Sequence, residues 1–451
     1  MNVQSHFQRA TRVLAVRNPA IYVLAWSVLL QSHVQAHDPE PAAERSSAAP
    51  ATTSGGPTNA GPAEVSPVDW RESESHLRHH VQLTFREQFV KAGEAYFSPD
   101  ARHVIFQAIQ TPPAGGEPEA HYAMFVASLT LDGSGRVVGL GPALRLSPPG
   151  SANTCGWFHP TEPGRVLYAS TLVPPAAEDR PGFQVGSNRY VWQFPQEMEI
   201  VEQRFRVSPD GSLEIASPPT ALFERPRYDA EGSWSSDGRY VLYAHIEEAR
   251  PAPGEQAFDQ DANLYIFDAK TGAQHALVVA PGYDGGPFFA PESSPSAGMI
   301  CYRSDRAGDD KLQLFVATLK RDAAGVPAGI EREYQLTSND HVNWGPFWHP
   351  SGRFLVYATS EVGHRNYEVF AIDVDRAAME KQAQGARHEA RRWRVTHAPG
   401  ADVLPVFSTD GRWMMWTSQR HGKAPGEERA SSQLWLAEWV QAELMHKAPA
   451  R

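Results

Sequence analysis

Short apolar runs recur along this chain, each reached through a polar turn. Asn343 to Tyr367 states the pattern most fully, NWGPFWHPSGRFLVYATSEVGHRNY. An aromatic (Trp348) precedes His349-Pro350-Ser351-Gly352-Arg353, and the run Phe354-Leu355-Val356-Tyr357 follows. Pro fixes φ where the turn begins and Gly supplies the open conformation that closes it. The β-branched and aromatic run then suits a buried strand. The unit predicts strand, turn, strand.

The unit recurs six times, with turns starting at residues 98, 159, 235, 290, 349 and 408, hence 61, 76, 55, 59 and 59 apart. Examples are Ser98-Pro99-Asp100-Ala101-Arg102 before His103 to Phe106, Ser235-Ser236-Asp237-Gly238-Arg239 before Tyr240 to Tyr243, and Ser408-Thr409-Asp410-Gly411-Arg412 before Trp413 to Trp416. Repeats of roughly 40–60 residues with four short strands each are the signature of propeller blades. The chain therefore predicts an all-β, six-bladed β-propeller over residues 81–440. The last copy supplies three strands, Val403 to Ser408, Trp413 to Ser418 and Ser432 to Val440. We expect Val81 to Phe85 to provide the fourth and close the ring, which removes the exposed sheet edges of an open array. Gln196 to Arg206 reads equally as strand or helix, and the charged insertion Ala377 to Arg391 as a surface helix.

Composition changes the picture at the N-terminus. Arg9, Arg12 and Arg17 lead into the apolar run Ala20 to Leu30, too short to span a bilayer, and Val34-Gln35-Ala36 offers a small-x-small cleavage site. Residues 1–36 thus predict a signal peptide, and residues 37–80 a low-complexity linker, too poor in apolar residues up to about residue 68 to order as a core, followed by a short helix or approach segment at 70–80. Residues 441–451 form a tail. The formal charge is −11, and cleavage would remove three Arg and no acids, leaving 38 − 52 = −14. A chain this acidic is a poor general binder of nucleic acid or anionic lipid. With the signal removed, no stable membrane span is expected, and the protein is expected to be periplasmic or secreted and monomeric. The two cysteines, Cys155 and Cys301, fall two blades apart and are expected to be unpaired buried thiols.

The copies resemble the propeller repeats of the TolB family, periplasmic proteins of bacterial Tol–Pal systems. The residues that carry the resemblance are Asp229 to Arg239 (DAEGSWSSDGR) and Asp402 to Arg412 (DVLPVFSTDGR), supported by Tyr302 to Gly308 and Trp416 to Gly422. The resemblance implies a six-bladed propeller and binding to other envelope proteins. The α/β domain that precedes the propeller in that family has no counterpart here, where a signal and a linker occupy its place.

The repeats also define candidate chemistry. Five residues before each aromatic that ends the first strand stand Ala92, Asn153, Asp229, Asp284, Asn343 and Asp402. Innermost strands line a propeller's channel, so Asn153, Asp229, Asp284, Asn343 and Asp402 form a candidate ligand-binding ring. Oxygen ligands of this kind could hold a divalent cation, with Asp229, Asp284, Asp402 and His341 as the metal candidates. The alternative is that each side chain caps its own turn or bonds neighbouring backbone. His349 belongs to its turn, and His76 to His80 are expected at the surface. No Gly-x-Ser-x-Gly elbow, phosphate loop or zinc cysteine pair occurs. The expected function is a scaffold that binds a protein or peptide at the channel mouth or loop face, with no catalytic residue and no cofactor. The alternative is a metal-dependent hydrolase or lyase acting on a sugar or lactone at the channel. A third possibility is a remnant of a Tol-like system that binds a peptidoglycan-associated lipoprotein.

Overall fold

The computed structural model describes residues 69–176, 182–184, 189–191, 195–247, 261–309, 311–383, 390–423 and 430–440. The expected signal peptide, the expected linker up to residue 68 and the tail at 441–451 lie outside them. The described chain forms six antiparallel blades. Blade 1 holds Phe89–Phe97, His103–Gln110, Ala123–Leu131 and Val137–Leu140 from the axis outward. Blade 2 holds Asn153–Phe158, Arg165–Ser170, Glu199–Val207 and Leu213–Ile215. Blade 3 holds Asp229–Trp234, Tyr240–Ile246, Ala262–Asp268 and Gln274–Val278. Blade 4 holds Asp284–Phe289, Met299–Ser304, Gln313–Arg321 and Pro327–Gln335. Blade 5 holds Asn343–Trp348, Phe354–Thr359, Glu368–Asp373 and Arg392–Arg394. Blade 6 holds Asp402–Phe407, Trp413–Ser418 and Gln433–Trp439.

The fourth strand of blade 6 comes from the N-terminal side, as expected, but it is Leu77–Gln82 and so begins ahead of Val81. It pairs antiparallel with Gln433–Trp439 through Leu77↔Trp439 and Val81↔Leu436. A register shift lies between Arg78 and Val81, where His79 is left-handed at φ 53°. That extra residue obscures the alternation that would have marked the strand. The ambiguous stretch in blade 2 is strand: Ile200, Val201, Gln203 and Phe205 are buried in its sheet. The charged insertion of blade 5 carries an α-helix, Arg376–Ala383.

The recurring turn is a closed hydrogen-bond unit. Ser98 and Ser408 donate from Oγ to Asp100 and Asp410 at 2.6 Å. Each serine Oγ then accepts from the backbone N–H that opens the next strand, His103 at 2.9 Å and Trp413 at 3.0 Å. The aspartate accepts from the turn arginine's N–H, Arg102 at 3.1 Å and Arg412 at 3.0 Å. In blades 2 and 5 a histidine replaces the serine, and Nδ1 of His159 and His349 accepts from Glu162 and Ser351 N–H at 3.1 Å. Gly238 closes the blade 3 turn at φ +70°, and a Cβ there would lie 2.5 Å from His159, so neighbouring turns interlock.

Between the blades lies one aromatic per second strand: Phe106, Tyr168, Tyr243, Tyr302, Tyr357 and Trp416, each under 2% exposed. Burying a side chain of this kind contributes roughly 1.5–3 kcal/mol, and repetition six times over makes this layer the main apolar seam.

Candidate functional site

Asn153, Asp229, Asp284, Asn343 and Asp402 each open the inner strand of their blade and are at most 4% exposed. Their side chains bond to their own or adjoining strands. Asn153 Nδ2 donates to the carbonyls of Tyr122 at 2.8 Å and Ser151 at 2.9 Å. Asp229 Oδ1 lies 2.8 Å from His245 Nδ1. Asp284 Oδ1 accepts from Arg306 at 2.9 Å. Asn343 Nδ2 donates to Gln313, Asn339 and the His341 carbonyl at 2.9 to 3.1 Å. Asp402 accepts from Trp416 Nε1 at 3.1 Å and Arg420 at 2.7 Å. His341 thus meets this position through its backbone. Among the described residues no three of His, Cys, Asp and Glu come together as metal ligands. Burial raises the pKa of Asp229, Asp284 and Asp402, against the pull of His245, Arg306 and Arg420, with Asp284 at about 6.

Behind Asp402 sits Glu368, fully buried, accepting from Thr396 Oγ1 at 2.6 Å and Arg394 at 2.8 Å. Burial and the Asp402 charge raise its pKa to about 8 despite those bonds. Between the unfolded value near 4.5 and about 8 the folded chain holds a proton that the unfolded chain has lost. Stability therefore falls as pH rises through this window, with a slope of at most about 1.4 kcal/mol per pH unit from this group. Urea titrations from pH 5 to 9 should show the decline in wild type and a flatter profile in Glu368→Gln. Equal slopes in the two proteins would contradict the assignment.

The inner strands share a second feature that the sequence does not advertise. Every one carries a bulge, and its third residue counted from the ring position is left-handed: Glu94 (φ 40°), Cys155 (53°), Glu231 (59°), Gly286 (59°), Gly345 (59°) and Leu404 (54°). The bulge re-aims this side chain toward the axis. Glu94 accepts from the Cys155 thiol at 3.0 Å and from Thr154 Oγ1 and Tyr96 Oη at 3.2 Å. Glu231 accepts from Tyr283 Oη and Arg303 Nη2 at 2.6 Å and from Gly286 N–H at 2.5 Å. Arg303 is 5% exposed and fills the space that a side chain at Gly286 would need.

This polar layer is floored and rimmed by aromatics. Two residues further along the strands, Tyr96, Trp157, Phe288 and Phe347 meet across the axis with ring centroids 4.8 to 6.3 Å apart and plug the channel. On the other side stand Tyr122 and Trp344, both half-buried, and Tyr228 and Tyr283, both buried. The Lys91 ammonium lies 4.5 Å above the Tyr122 ring. Burial lowers the Lys91 pKa. Burial also raises that of Glu94; the Cys155 bond and the Arg303 charge oppose this and the Glu231 charge adds to it. The Cys155 thiol is likewise pushed up, first by burial and then by Glu94. Both cysteines are unpaired and buried.

The sequence reading missed Glu94, Glu231 and Arg303. The available signal was the column three residues before each strand-ending aromatic, where two of six copies have glycine, the residue that a left-handed position favours.

No family model matches the chain, and no curated protein sequence matches it. Solved structures do. Putative TolB from Agrobacterium tumefaciens is 14% identical with a TM-score of 0.39, over 77% of this chain and 90% of that one. TolB from Acinetobacter baumannii is 11% identical with a TM-score of 0.37, over 78% of this chain and 65% of that one. Oligogalacturonate lyase from Vibrio parahaemolyticus is 10% identical with a TM-score of 0.39, over 80% of this chain and 93% of that one. In architecture the chain is a six-bladed propeller. Among the described residues no helix is long and apolar enough to cross a membrane.

Proposed function

We propose that this chain is an exported scaffold of the bacterial cell envelope that binds a protein or peptide segment at the mouth of its channel. The observation that supports this reading is the layered channel: an aromatic plug, a polar layer above it, and a rim of tyrosine and tryptophan. A plug at one level leaves a ligand one direction of approach. Aromatic rims with a few placed polar groups are the usual make-up of recognition sites. In this reading Asn153, Asp229, Asp284, Asn343 and Asp402 serve the ligand indirectly, by fixing where each inner strand begins.

A photo-reactive phenylalanine analogue at Trp344, on the rim, tests the proposal. A second at Val138, an exposed residue of blade 1's outer strand, is the control. In envelope extracts of the producing cells, the Trp344 position should give one defined protein adduct that the Val138 position does not. Identical adduct patterns at both positions would remove the support for the mouth as the binding face.

A further inference from the structure

We infer that the channel mouth takes a primary ammonium group, with the Glu94 carboxylate as its anchor. This rests on the peptide-binding reading and narrows it to a ligand chemistry.

The partners of the two channel carboxylates carry the argument. Glu231 has a cation of its own, since Arg303 donates to it at 2.6 Å. Among the described residues Glu94 has none within bonding distance. Its three side-chain partners are a thiol and two hydroxyls, from Cys155, Thr154 and Tyr96. Buried charges are ordinarily paired, because an unpaired carboxylate loses its hydration without compensation. Glu94 as a residue is nevertheless half-buried rather than sealed.

The nearest free cation on the same strand does not fill the gap. Lys91 stands over Tyr122 and forms no ion pair among the described residues, although Tyr122 itself lies within electrostatic reach of Glu94. The mouth thus presents a carboxyl bonded by no cation, and a lysine that sits over a tyrosine ring instead. Arg303 adds a second unfilled group, a buried Nε–H donor without a partner, which suits a ligand carbonyl beside the ammonium and not the ammonium itself. A ligand ammonium would complete the Glu94 site with a charge-assisted hydrogen bond, and the rim aromatics add cation–π attraction for the same group. Two sources offer this chemistry, a peptide's N-terminus and a lysine side chain.

Three short peptides separate these outcomes by calorimetric titration of the full chain. Tetra-alanine amide has a free N-terminus; N-acetyl-Ala-Lys-Ala-Ala amide has only a lysine ammonium; N-acetyl-tetra-alanine amide has neither. Binding of the first or the second, at least tenfold tighter than the third, is the expected result, and which one binds identifies the source. Glu94→Gln, which keeps the size of the side chain and removes its charge, should abolish that preference, a loss of about tenfold or more. The comparison of free with acetylated peptides needs only wild type, so it stands even if the variant is unstable. Equal affinity for all three, or binding of none at millimolar concentration, would overturn the ammonium assignment. The adduct at Trp344 reports on the peptide-binding reading separately, so either can fail while the other holds.

Discussion

Arg420→Ala should cost about 3–5 kcal/mol of stability, because it leaves two buried carboxylates without their shared cation. Arg420 is fully buried, as are Glu74 and Asp402 within 1%. Its guanidinium donates to both oxygens of Glu74 at 3.1 Å and to Asp402 at 2.7 Å. It lies 4.3 Å from the ring of Trp70 and 4.8 Å from that of Trp416. Glu74 follows the short helix Trp70–Ser73, before the closing strand, whereas Arg420 and Asp402 belong to blade 6. The ion pair therefore fastens the N-terminal segment to the last blade and supplements the closing strand's hydrogen bonds. His80, expected at the surface, is drawn into the same cluster: its Nε2 lies 2.7 Å from Glu74 and its side chain is 6% exposed. The signal was obscured because the fastening spans most of the chain.

Urea unfolding of Arg420→Ala against wild type measures the loss. Arg420→Lys should recover less than half of it, since an ammonium can neither reach both carboxylates in a fork nor lie flat between two indoles. Full recovery by lysine would mean that charge alone matters there. The cluster also sets an acid limit. Burial would raise the Glu74 pKa, but the His80 and Arg420 bonds outweigh it and the pKa is lowered. Its contribution is thus complete above the unfolded value of 4.5 and is lost as pH falls through the lower folded value.

The architecture was legible because it is written in repeated chemistry. A Ser-x-Asp-Gly-Arg turn, as at residues 235–239 and 408–412, satisfies its own backbone locally, so such a copy declares itself regardless of its neighbours. The ring column was legible for the same reason, although its role was not. Asp284 and Asp402 recur together with Arg306 and Arg420, two residues past the second strand, and the two types bond within each blade. The repeat in the sequence is thus that of an internal clamp. The channel layer repeats backbone geometry instead. Glu94, Cys155, Glu231, Gly286, Gly345 and Leu404 share a left-handed φ but no side-chain type common to all six. Their contacts run between blades, from Glu94 to Cys155 and from Glu231 to Arg303, and depend on the closed ring. A pattern confined to one copy cannot report them.

That dependence gives the second large effect. Arg303→Ala removes the one arginine that bonds Glu231, and it also removes the positive charge that offsets Glu94. At pH 7.5 both carboxylates would face each other's charge in a buried layer, and the expected loss is again about 3–5 kcal/mol. The loss should shrink on acidification. Without Arg303 the folded pKa of Glu94, already raised by burial, rises further, so the folded variant holds a proton that the unfolded chain has released. Stability is then retained below the unfolded value and lost as pH climbs through the raised one. Thermal unfolding at pH 5 and pH 7.5 should show the gap between variant and wild type narrowing at the lower pH. A gap of equal size at both would mean that Arg303 acts by packing alone. Adding Glu94→Gln to Arg303→Ala should restore part of the stability at pH 7.5, because one of the two facing charges is gone. Such a rescue would tie the energetics of the channel to Glu94 itself, and not to the volume that Arg303 fills beside Gly286.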